Sequence, residues 1–503
     1  MNIVQAKQQV KYAVEAYLAR DEQGEYKIPL SRQRPVLLMG APGIGKTAIM
    51  EQVAGELGIG LVSYSMTHHT RQSALGLPLI EQREFGGQAY TVSEYTMSEI
   101  IASVHEVMQR SGVRQGILFL DEVNCVSETL TPSMLQFLQY KTFGRHRVPD
   151  GWVIVTAGNP PEYNRSVHEF DVVTLDRVKR IDVEPDLEAW KPYAHEVGVH
   201  AAVLAFLQAK PGRFYSVQRG LAGREFVTAR SWVDLSDAMK AYEELGFPVD
   251  GALIAQYLQL PELAEEFALY YELYQRYRSE YGIEGILDGR ATEGTMRRAR
   301  DAGLDERLSL LFALLDAVGS DMRACVQRED VLVALRDELR PLKEAALAAP
   351  ELASALRAAA DAHAGRLRAG QEAGSLSAAV LAREREELAG LRACADAARG
   401  ADAAAPFGAV QRAYEQRVHA LEADAAAASA RLENLFAFVE RALGDGPEVV
   451  VLVTELTARG HCARFISEHG SDAYFAHNGD LLVSTRAEQL RERISALELG
   501  VEG

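Results

Sequence analysis

The segment from Gly40 to Thr47 reads GAPGIGKT, which fits the phosphate-binding pattern G-x-x-x-x-G-K-[ST]. Gly43 and Gly45 allow backbone N–H groups to curl towards a phosphate without a Cβ in the way. Lys46 places a positive charge near the β- and γ-phosphates, and the Thr47 hydroxyl can bind Mg²⁺. The nucleotide-binding residues predicted from this pattern are Gly40, Ala41, Pro42, Gly43, Ile44, Gly45, Lys46, Thr47 and Ala48.

Two carboxylates, Asp121 and Glu122, follow the apolar run Ile117–Leu120. Such a run suits a strand buried on both faces of a parallel sheet, and ligands bind such sheets at the carboxyl ends of the strands. There Asp121 can hold Mg²⁺ through water, and Glu122 can polarise a water for attack on the γ-phosphate. An isolated Asp-Glu pair would be read as a turn cap, but a phosphate loop in the same domain favours the catalytic interpretation.

A third candidate is Asn159, which follows the apolar run Trp152–Ala157. At the end of a parallel strand its amide would lie beside the acidic pair and could orient the attacking water. An asparagine that only forms a turn is the alternative interpretation.

The elements that must position these residues follow from the hydrophobic periodicity. Strands are predicted at 36–39, 60–65, 117–120 and 152–157, with a further strand ending near 183, and helices at 2–20, 48–57, 97–110 and 126–140. The broken stretch 68–98 predicts an insertion with small strands, and the basic turn 141–147 predicts a hairpin. That hairpin is either a solvated turn or a loop that touches a substrate or a neighbouring subunit.

The rest of the chain predicts further domains. We expect an α/β nucleotide-binding domain over 1–186, a helical lid over 187–287, a helical arm with a coiled-coil hairpin over 288–445, and a small α/β module over 446–503. A heptad seam from Tyr414 to Val439 indicates either an antiparallel hairpin within the chain or an intermolecular coiled coil. In the tail, 448–453 predicts a strand and Asn478-Gly479 a β-hairpin.

Composition limits the class of protein. The 503 residues carry a formal net charge of -18, which argues against a general binder of nucleic acid or anionic membranes. The four cysteines form no C-x-x-C pair, so neither a disulfide framework nor a zinc site is predicted. Without a signal peptide or a long apolar run, we expect no membrane span and a cytoplasmic location.

The ordered motifs resemble those of an ASCE-type P-loop ATPase of the AAA+ superfamily, and most closely its MoxR branch, over roughly residues 1–285. The motifs are GAPGIGKT at 40–47, ILFLDE at 117–122, TAGNP at 156–160, LDR at 175–177 and TARSW at 228–232. The resemblance implies that the first two are Walker A and Walker B, and that Asn159 is sensor 1. It also implies an arginine finger at Arg177, with Lys179 and Arg180 as rivals because Val178 replaces the usual Phe. Arg230 matches the sensor 2 arginine, acting in cis or in trans.

The same resemblance implies what the chain binds and assembles with. We expect ATP and Mg²⁺ as ligands, a homo-oligomeric, hexameric ring, and a protein partner, for which the resemblance suggests a von Willebrand factor A domain. The stretches 68–98 and 141–148 match the family's helix-2 insert and pre-sensor hairpin, which implies a role in contacting substrates or partners. The alternatives are a nucleic-acid-dependent motor or loader on the same core, and a nucleotide-gated scaffold that uses the helical arm to recruit partners.

Overall fold

The computed structural model of the chain describes residues 1–68, 74, 76–126, 130–143, 145–163, 170–220, 223–345, 347–372, 378–399, 406–444 and 446–479. Two compact units are present, and both are discontinuous in sequence. Unit 1 comprises 1–193 and 212–264, whereas unit 2 comprises 194–211 and 265–503. The four-domain division expected from the sequence stays a prediction.

The strands in chain order are β1 (Val36–Gly40), β2 (Gly60–Ser65), β3 (Pro78–Phe85), β4 (Gln88–Tyr95), β5 (Gly116–Asp121), β6 (Thr142–Phe143), β7 (His146–Arg147), β8 (Trp152–Gly158), β9 (Lys179–Val183), β10 (Ser216–Gly220) and β11 (Gly223–Val227). The helices up to residue 281 are α1 (Ile3–Leu18), α2 (Ala48–Leu57), α3 (Glu99–Ser111), α4 (Thr131–Tyr140), α5 (Val172–Leu175), α6 (Leu187–Val197), α7 (Ala201–Ala209), α8 (Ala229–Leu245), α9 (Gly251–Tyr257) and α10 (Pro261–Tyr281). The remaining helices are α11 (Ile283–Leu287), α12 (Glu293–Asp301), α13 (Leu304–Glu344), α14 (Ala349–Glu372), α15 (Ala378–Arg399), α16 (Pro406–Leu443), α17 (Pro447–Ala458) and α18 (Gly460–His469).

Unit 1 is built on a parallel sheet with the strand order β2-β5-β8-β1-β9. The predicted strands of the core are therefore confirmed, and the side chains of β5 and β8 are buried on both faces as their apolar runs require. Because β8 lies between β1 and β5, the residue that follows β8 is placed between the phosphate loop and the acidic pair. This arrangement brings the three candidate motifs to one edge of the sheet.

Helices cover both faces of this sheet. On one face α1 and α2 bury Val10 and Val53 against Val36 and Phe119. On the other face α3 and α4 bury their apolar sides against a cluster that includes Leu118. Alternate residues of each strand thus point to opposite layers, which is what the period-two geometry of a strand dictates.

Among the described residues of unit 1, three antiparallel hairpins accompany the sheet. The β3–β4 hairpin confirms the small strands predicted within 68–98, and β6–β7 confirms the hairpin predicted at 141–147. The β10–β11 hairpin lies within 187–287, the region for which a helical lid was predicted. Val217 lies opposite Phe226, and Gly220 and Gly223 stand at the ends of the two strands that are joined by the turn, a short-range signal that the prediction of a helical lid did not use.

Unit 2 is a helical bundle around the long helix α13, which packs against α7, α15, α16, α17 and α18. The heptad positions Ala425, Ala428, Leu432, Leu435 and Val439 of α16 are buried. Since α16 packs on α13 and α15, the seam is covered within the chain, as the antiparallel-hairpin interpretation requires. Residues of the predicted partner face, Leu381, Leu388 and Leu391, share one apolar cluster with Tyr414.

The prediction of an α/β module at the C-terminus is wrong for the residues that the structure describes. Residues 448–453 lie within α17, and 472–479 are helical, so neither the predicted strand nor the hairpin at Asn478-Gly479 forms. Pro447 occupies the first turn of α17 and Glu448 complements its dipole, and the apolar run packs on α13. The rest of the predicted module, residues 480–503, lies outside the described part of the chain.

Within the ranges given above, no helix has both the length and the apolar character required to cross a bilayer.

Candidate functional site

The loop between β1 and α2 has the backbone that the glycine pattern predicts. Gly43 and Gly45 have φ angles of 72° and 94°, the left-handed region in which a side chain is strained. A Cβ on Gly40 would lie 2.5 Å from the Val183 carbonyl oxygen, so β1 ends where neighbouring backbone leaves no room for a larger residue. The loop therefore exposes its N–H groups at the start of α2, where an anion is favoured.

Lys46 connects the phosphate loop to the end of β8. Its Nζ donates hydrogen bonds to the carbonyl oxygens of Gly40 and Ala41, each at 2.8 Å, and to Oδ1 of Asn159 at 2.9 Å. Burial lowers the pKa of Lys46 to about 8; the charge of Asp121 opposes this shift, and the positive charge of Arg230 contributes to it. A buried cation with three exchangeable acceptors fits a site that receives a phosphate.

Thr47 and Asp121 supply a pair of oxygen ligands. The Thr47 hydroxyl donates to Oδ2 of Asp121 at 3.0 Å, so it is not used to cap α2. Mg²⁺ prefers oxygen ligands at about 2.0–2.1 Å in octahedral geometry, in which adjacent ligand atoms are about 3 Å apart. The residues present thus fit a magnesium ion bound together with a nucleotide.

Glu122 is held in a strained conformation at the end of β5. Its φ of 56° is in the left-handed region, and its backbone N–H donates to Oδ1 of Asp121 at 2.8 Å. The Ser65 hydroxyl donates to Oε2 of Glu122 at 3.1 Å, because Ser65 lies opposite Asp121 in the β2–β5 register. Sequence reasoning did not single out Ser65, since its relevance depends only on that register.

Asn159 is fixed from two sides. Its side-chain oxygen accepts from Lys46, and its carbonyl oxygen accepts from Nδ2 of the buried Asn124 at 2.8 Å. Gly158 makes this approach possible, because a Cβ there would lie 2.6 Å from Oδ1 of Asn124. The single-turn helix 123–125 that carries Asn124 was not predicted, and no local signal marks the residue.

The phosphate loop is also supported by residues far along the chain. The Tyr215 hydroxyl donates to the Pro42 carbonyl at 3.1 Å, and the backbone N–H of Arg230 donates to the Gly43 carbonyl at 3.1 Å. Thr228 caps α8 and sits against Gly43, where a Cβ would approach its Oγ1 to 2.5 Å. Arg230, predicted as a sensor, therefore lies beside the phosphate loop of its own chain.

The three candidates for an arginine finger differ in their surroundings. Arg177 is exposed and, among the described residues, its side chain makes no hydrogen bond or ion pair. Arg180 pairs with Asp182 at 2.8 Å, and Lys179 donates to the Gln9 carbonyl at 3.5 Å. Lys179 and Arg180 thus have partners within the chain, whereas the Arg177 side chain is exposed to solvent.

Comparison with known proteins identifies the part of the chain that carries this site. Residues 36–166 match the model of the ATPase family associated with various cellular activities (AAA). The matched segment begins at β1 and includes Lys46, Asp121 and Asn159. No curated protein matches the sequence. The region that holds the phosphate loop, the acidic pair and Asn159 is therefore an AAA domain, the domain of an ATPase.

Proposed function

We propose that this protein is a Mg²⁺-dependent AAA+ ATPase of MoxR type, which assembles into a ring and uses ATP hydrolysis to remodel or activate a protein partner. The observation that carries the proposal is the convergence of Lys46 and Asn159 with Thr47 and Asp121 at one sheet edge. Four side chains from three separate motifs meet there within hydrogen-bond distance.

Each of these side chains has a role in the proposed reaction. Lys46 would exchange its present acceptors for phosphate oxygens, and the N–H groups of the loop would orient the phosphates. Thr47 and Asp121 would hold the magnesium ion, which when bound neutralises charge on the β- and γ-phosphates. Glu122 would take up the proton of the attacking water, and Asn159 would orient that water.

Assembly into a ring is proposed because the family resemblance implies that Arg177 is an arginine finger, a cation that acts on the nucleotide of a neighbouring subunit. Arg177 is exposed and has no side-chain partner among the described residues, so it is available to a neighbouring subunit. An arginine finger contributes about 10³–10⁵ in rate in well-studied NTPases. Hydrolysis would therefore depend on assembly, and the functional unit would be several chains.

Mixing two inactive variants tests this proposal. Lys46→Ala removes the phosphate contact but leaves Arg177 intact, whereas Arg177→Ala keeps the phosphate loop but lacks the finger. We expect each variant alone to hydrolyse ATP poorly. In a random equal mixture, about a quarter of wild-type activity should return, because half of the intact loops then have a neighbour with Arg177.

The controls separate assembly from folding. Arg180→Ala should behave like the wild type, because Arg180 is already paired with Asp182. Bound but unhydrolysed ATP in Glu122→Gln would support the role of Glu122. Normal turnover by Arg177→Ala, or a mixture no more active than its components, would refute the shared site.

A protein partner is proposed because of the surface of the β3–β4 hairpin. Ile80 is 73% exposed and Phe85 55% exposed, and Leu79 and Tyr90 are also exposed on this hairpin. Several exposed apolar side chains on one hairpin are typical of a protein-binding site. Arg145 of the β6–β7 turn pairs with Glu94, so the two hairpins form a joined surface.

The same turn gives little support to nucleic-acid binding. Lys141 is buried and donates to Oε1 of Gln33 at 3.0 Å, and Arg145 is paired with Glu94. Two of the basic residues in this turn are thus used within unit 1. We expect the ATPase rate to show no steep dependence on added DNA or RNA.

The exposed hairpin residues give the opposite test. The double variant Ile80→Ser with Phe85→Ser should abolish activation by the protein partner and leave the basal rate of ATP hydrolysis intact.

A further inference from the structure

Three potential metal ligands meet between two neighbouring helices of unit 2. His363 lies on α14, and Glu384 and Glu387 lie one turn apart on α15. One ligand atom from each of the three residues can be chosen so that all lie within 4.8 Å of one another. The site is far in sequence from the AAA domain, and the reaction proposed above makes no use of it.

His363 is oriented in the way that metal-bound histidines are. The residue is 2% exposed, and its Nε2 lies 3.1 Å from the carbonyl oxygen and 3.0 Å from Oε2 of Glu384. With the proton on Nε2, both contacts accept it, and the lone pair of Nδ1 is left to face Glu387. Metal-ligating histidines generally donate their other ring N–H to a carbonyl or carboxylate in this manner.

Glu387 gives the second, independent observation. Glu387 is only 6% exposed, and no described group donates a hydrogen bond to its carboxylate. Its Oε1 lies 3.7 Å from Nδ1 of His363, too far for a hydrogen bond. Two lone-pair atoms at this separation can be joined by one ion with bonds of about 2.0–2.2 Å.

One basic side chain, Arg366, lies beside the cluster. Nη2 of Arg366 lies 3.4 Å from Nδ1 of His363 and 3.8 Å from Oε1 of Glu338. The Arg366 side chain is 63% exposed, so it can leave Nδ1 without breaking a close contact. Arg366 would therefore compete with a metal ion for the same lone pair rather than prevent its binding.

We propose that Nδ1 of His363 and the carboxylate of Glu387 bind a first-row divalent transition metal such as Zn²⁺, which links α14 to α15, and that Glu384 orients the imidazole through Nε2. The mixed nitrogen and oxygen ligand set suits Zn²⁺, Co²⁺ or Mn²⁺ better than Mg²⁺. Two protein ligands leave the remaining coordination positions to water. The ion would stabilise the helical unit and is independent of the magnesium ion of the ATPase site.

Cobalt titration of the full, untagged chain tests the proposal without nucleotide. After dialysis against a chelator, the wild type should bind one Co²⁺ per chain with visible absorption bands, and Zn²⁺ should displace it. We expect His363→Gln and Glu387→Gln to weaken this binding by about tenfold or more. Arg366→Gln should strengthen it, because the competing guanidinium is gone.

His419→Gln is the matched control. His419 forms a 3.0 Å pair with Glu422 on α16, but it is exposed and belongs to no three-ligand group among the described residues. Its removal should leave cobalt binding unchanged. If the wild type binds no Co²⁺, or if His363→Gln and Glu387→Gln bind it as the wild type does, the site is an ion-pair network and the proposal is wrong. Circular dichroism of each variant ensures that a loss reflects the ligands, and Glu387→Gln remains decisive should His363→Gln unfold.

Discussion

Lys46 is a lysine whose ammonium group is buried at the phosphate loop. Burial lowers its pKa to about 8, so above this pH the side chain is largely neutral before nucleotide binds. A bound triphosphate would favour the charged form and raise this pKa. We therefore predict that nucleotide binding takes up close to one proton at pH 9 and far less at pH 7.

Calorimetric titration in buffers of different ionisation enthalpy measures this uptake. Lys141 is the matched control, because burial lowers its pKa to about 8 as well, but it is bonded to Gln33. Lys141→Met should keep the proton uptake on nucleotide binding at pH 9, whereas Lys46→Arg should abolish this uptake. A binding enthalpy independent of the buffer at pH 9 would contradict the assignment.

The Ser65 hydroxyl restrains the proposed catalytic carboxylate. Its 3.1 Å hydrogen bond to Glu122 must break before that carboxylate can turn to a water near the γ-phosphate. A hydrogen bond contributes about 1 kcal/mol net, or roughly fivefold in rate. We expect Ser65→Ala to raise the basal rate of ATP hydrolysis several-fold, measured as steady-state phosphate release. Ser65→Thr, which keeps the hydroxyl, should remain close to the wild type; equal rates in all three proteins would refute the restraint.

At the residue scale, the sequence predicts what a local pattern can encode. Lys46, Thr47 and Asp121 belong to contiguous motifs, and the structure brings them together. Ser65 and Asn124 have no such motif, because their contacts arise from strand register and from a single-turn helix. Their positions become apparent only when the sheet is assembled.

The N-terminus of α8 illustrates the scale of the element. Thr228 accepts a hydrogen bond from the Ser231 N–H and forms a capping box with it. Thr228→Ala should destabilise this helix end by about 1 kcal/mol and weaken nucleotide binding, because the Thr228 side chain also packs on Gly43. Thermal unfolding and ATP titration of Thr228→Ala and Thr228→Ser measure both effects. The serine variant should retain the cap, and a loss as large as that of alanine would show that capping is not the cause.

Element type was predictable where periodicity and context agree. The core strands are buried on both faces, so their apolar runs could be read directly. In α17 the run Val449–Val453 has high β-propensity, yet it forms a helix because Pro447 favours a first turn and α13 offers an apolar surface. A tertiary contact of this kind is absent from local sequence, and it outweighs propensity differences of less than about 1 kcal/mol per residue.

At the scale of the whole molecule, unit 2 contains a buried polar cluster that responds to pH. Burial and the charges of Arg323 and Arg459 lower the pKa of His461 to about 3, and His195 contributes to the shift. On acidification below about pH 6.5, His461 therefore becomes protonated in the unfolded chain but stays neutral in the folded chain. Stability should fall as the pH drops below about 6.5, by at most about 2 kcal/mol between pH 7 and 5 from this group.

Urea unfolding at pH 7 and pH 5, followed by the helical circular dichroism signal, measures this loss. His461→Gln cannot be protonated, so it should lose less stability on acidification than the wild type does. The exposed His419 serves as the control, and His419→Gln should lose as much as the wild type. Equal losses in the wild type and His461→Gln would show that other groups dominate the acid response.

The hydrogen bonds from Tyr215 and Arg230 to the phosphate loop have a consequence for biosynthesis. The GAPGIGKT segment emerges from the ribosome long before residue 230 is translated. Between the two, the ribosome also produces residues 194–211, which belong to unit 2. The nascent chain can complete the sheet strands from β1 to β9 early. The carbonyls of Pro42 and Gly43 gain their hydrogen bonds only after Tyr215 and Arg230 have been translated. Nucleotide affinity should thus arise late in translation, and a fragment that stops at residue 193 should bind ATP more weakly than one that continues through 264.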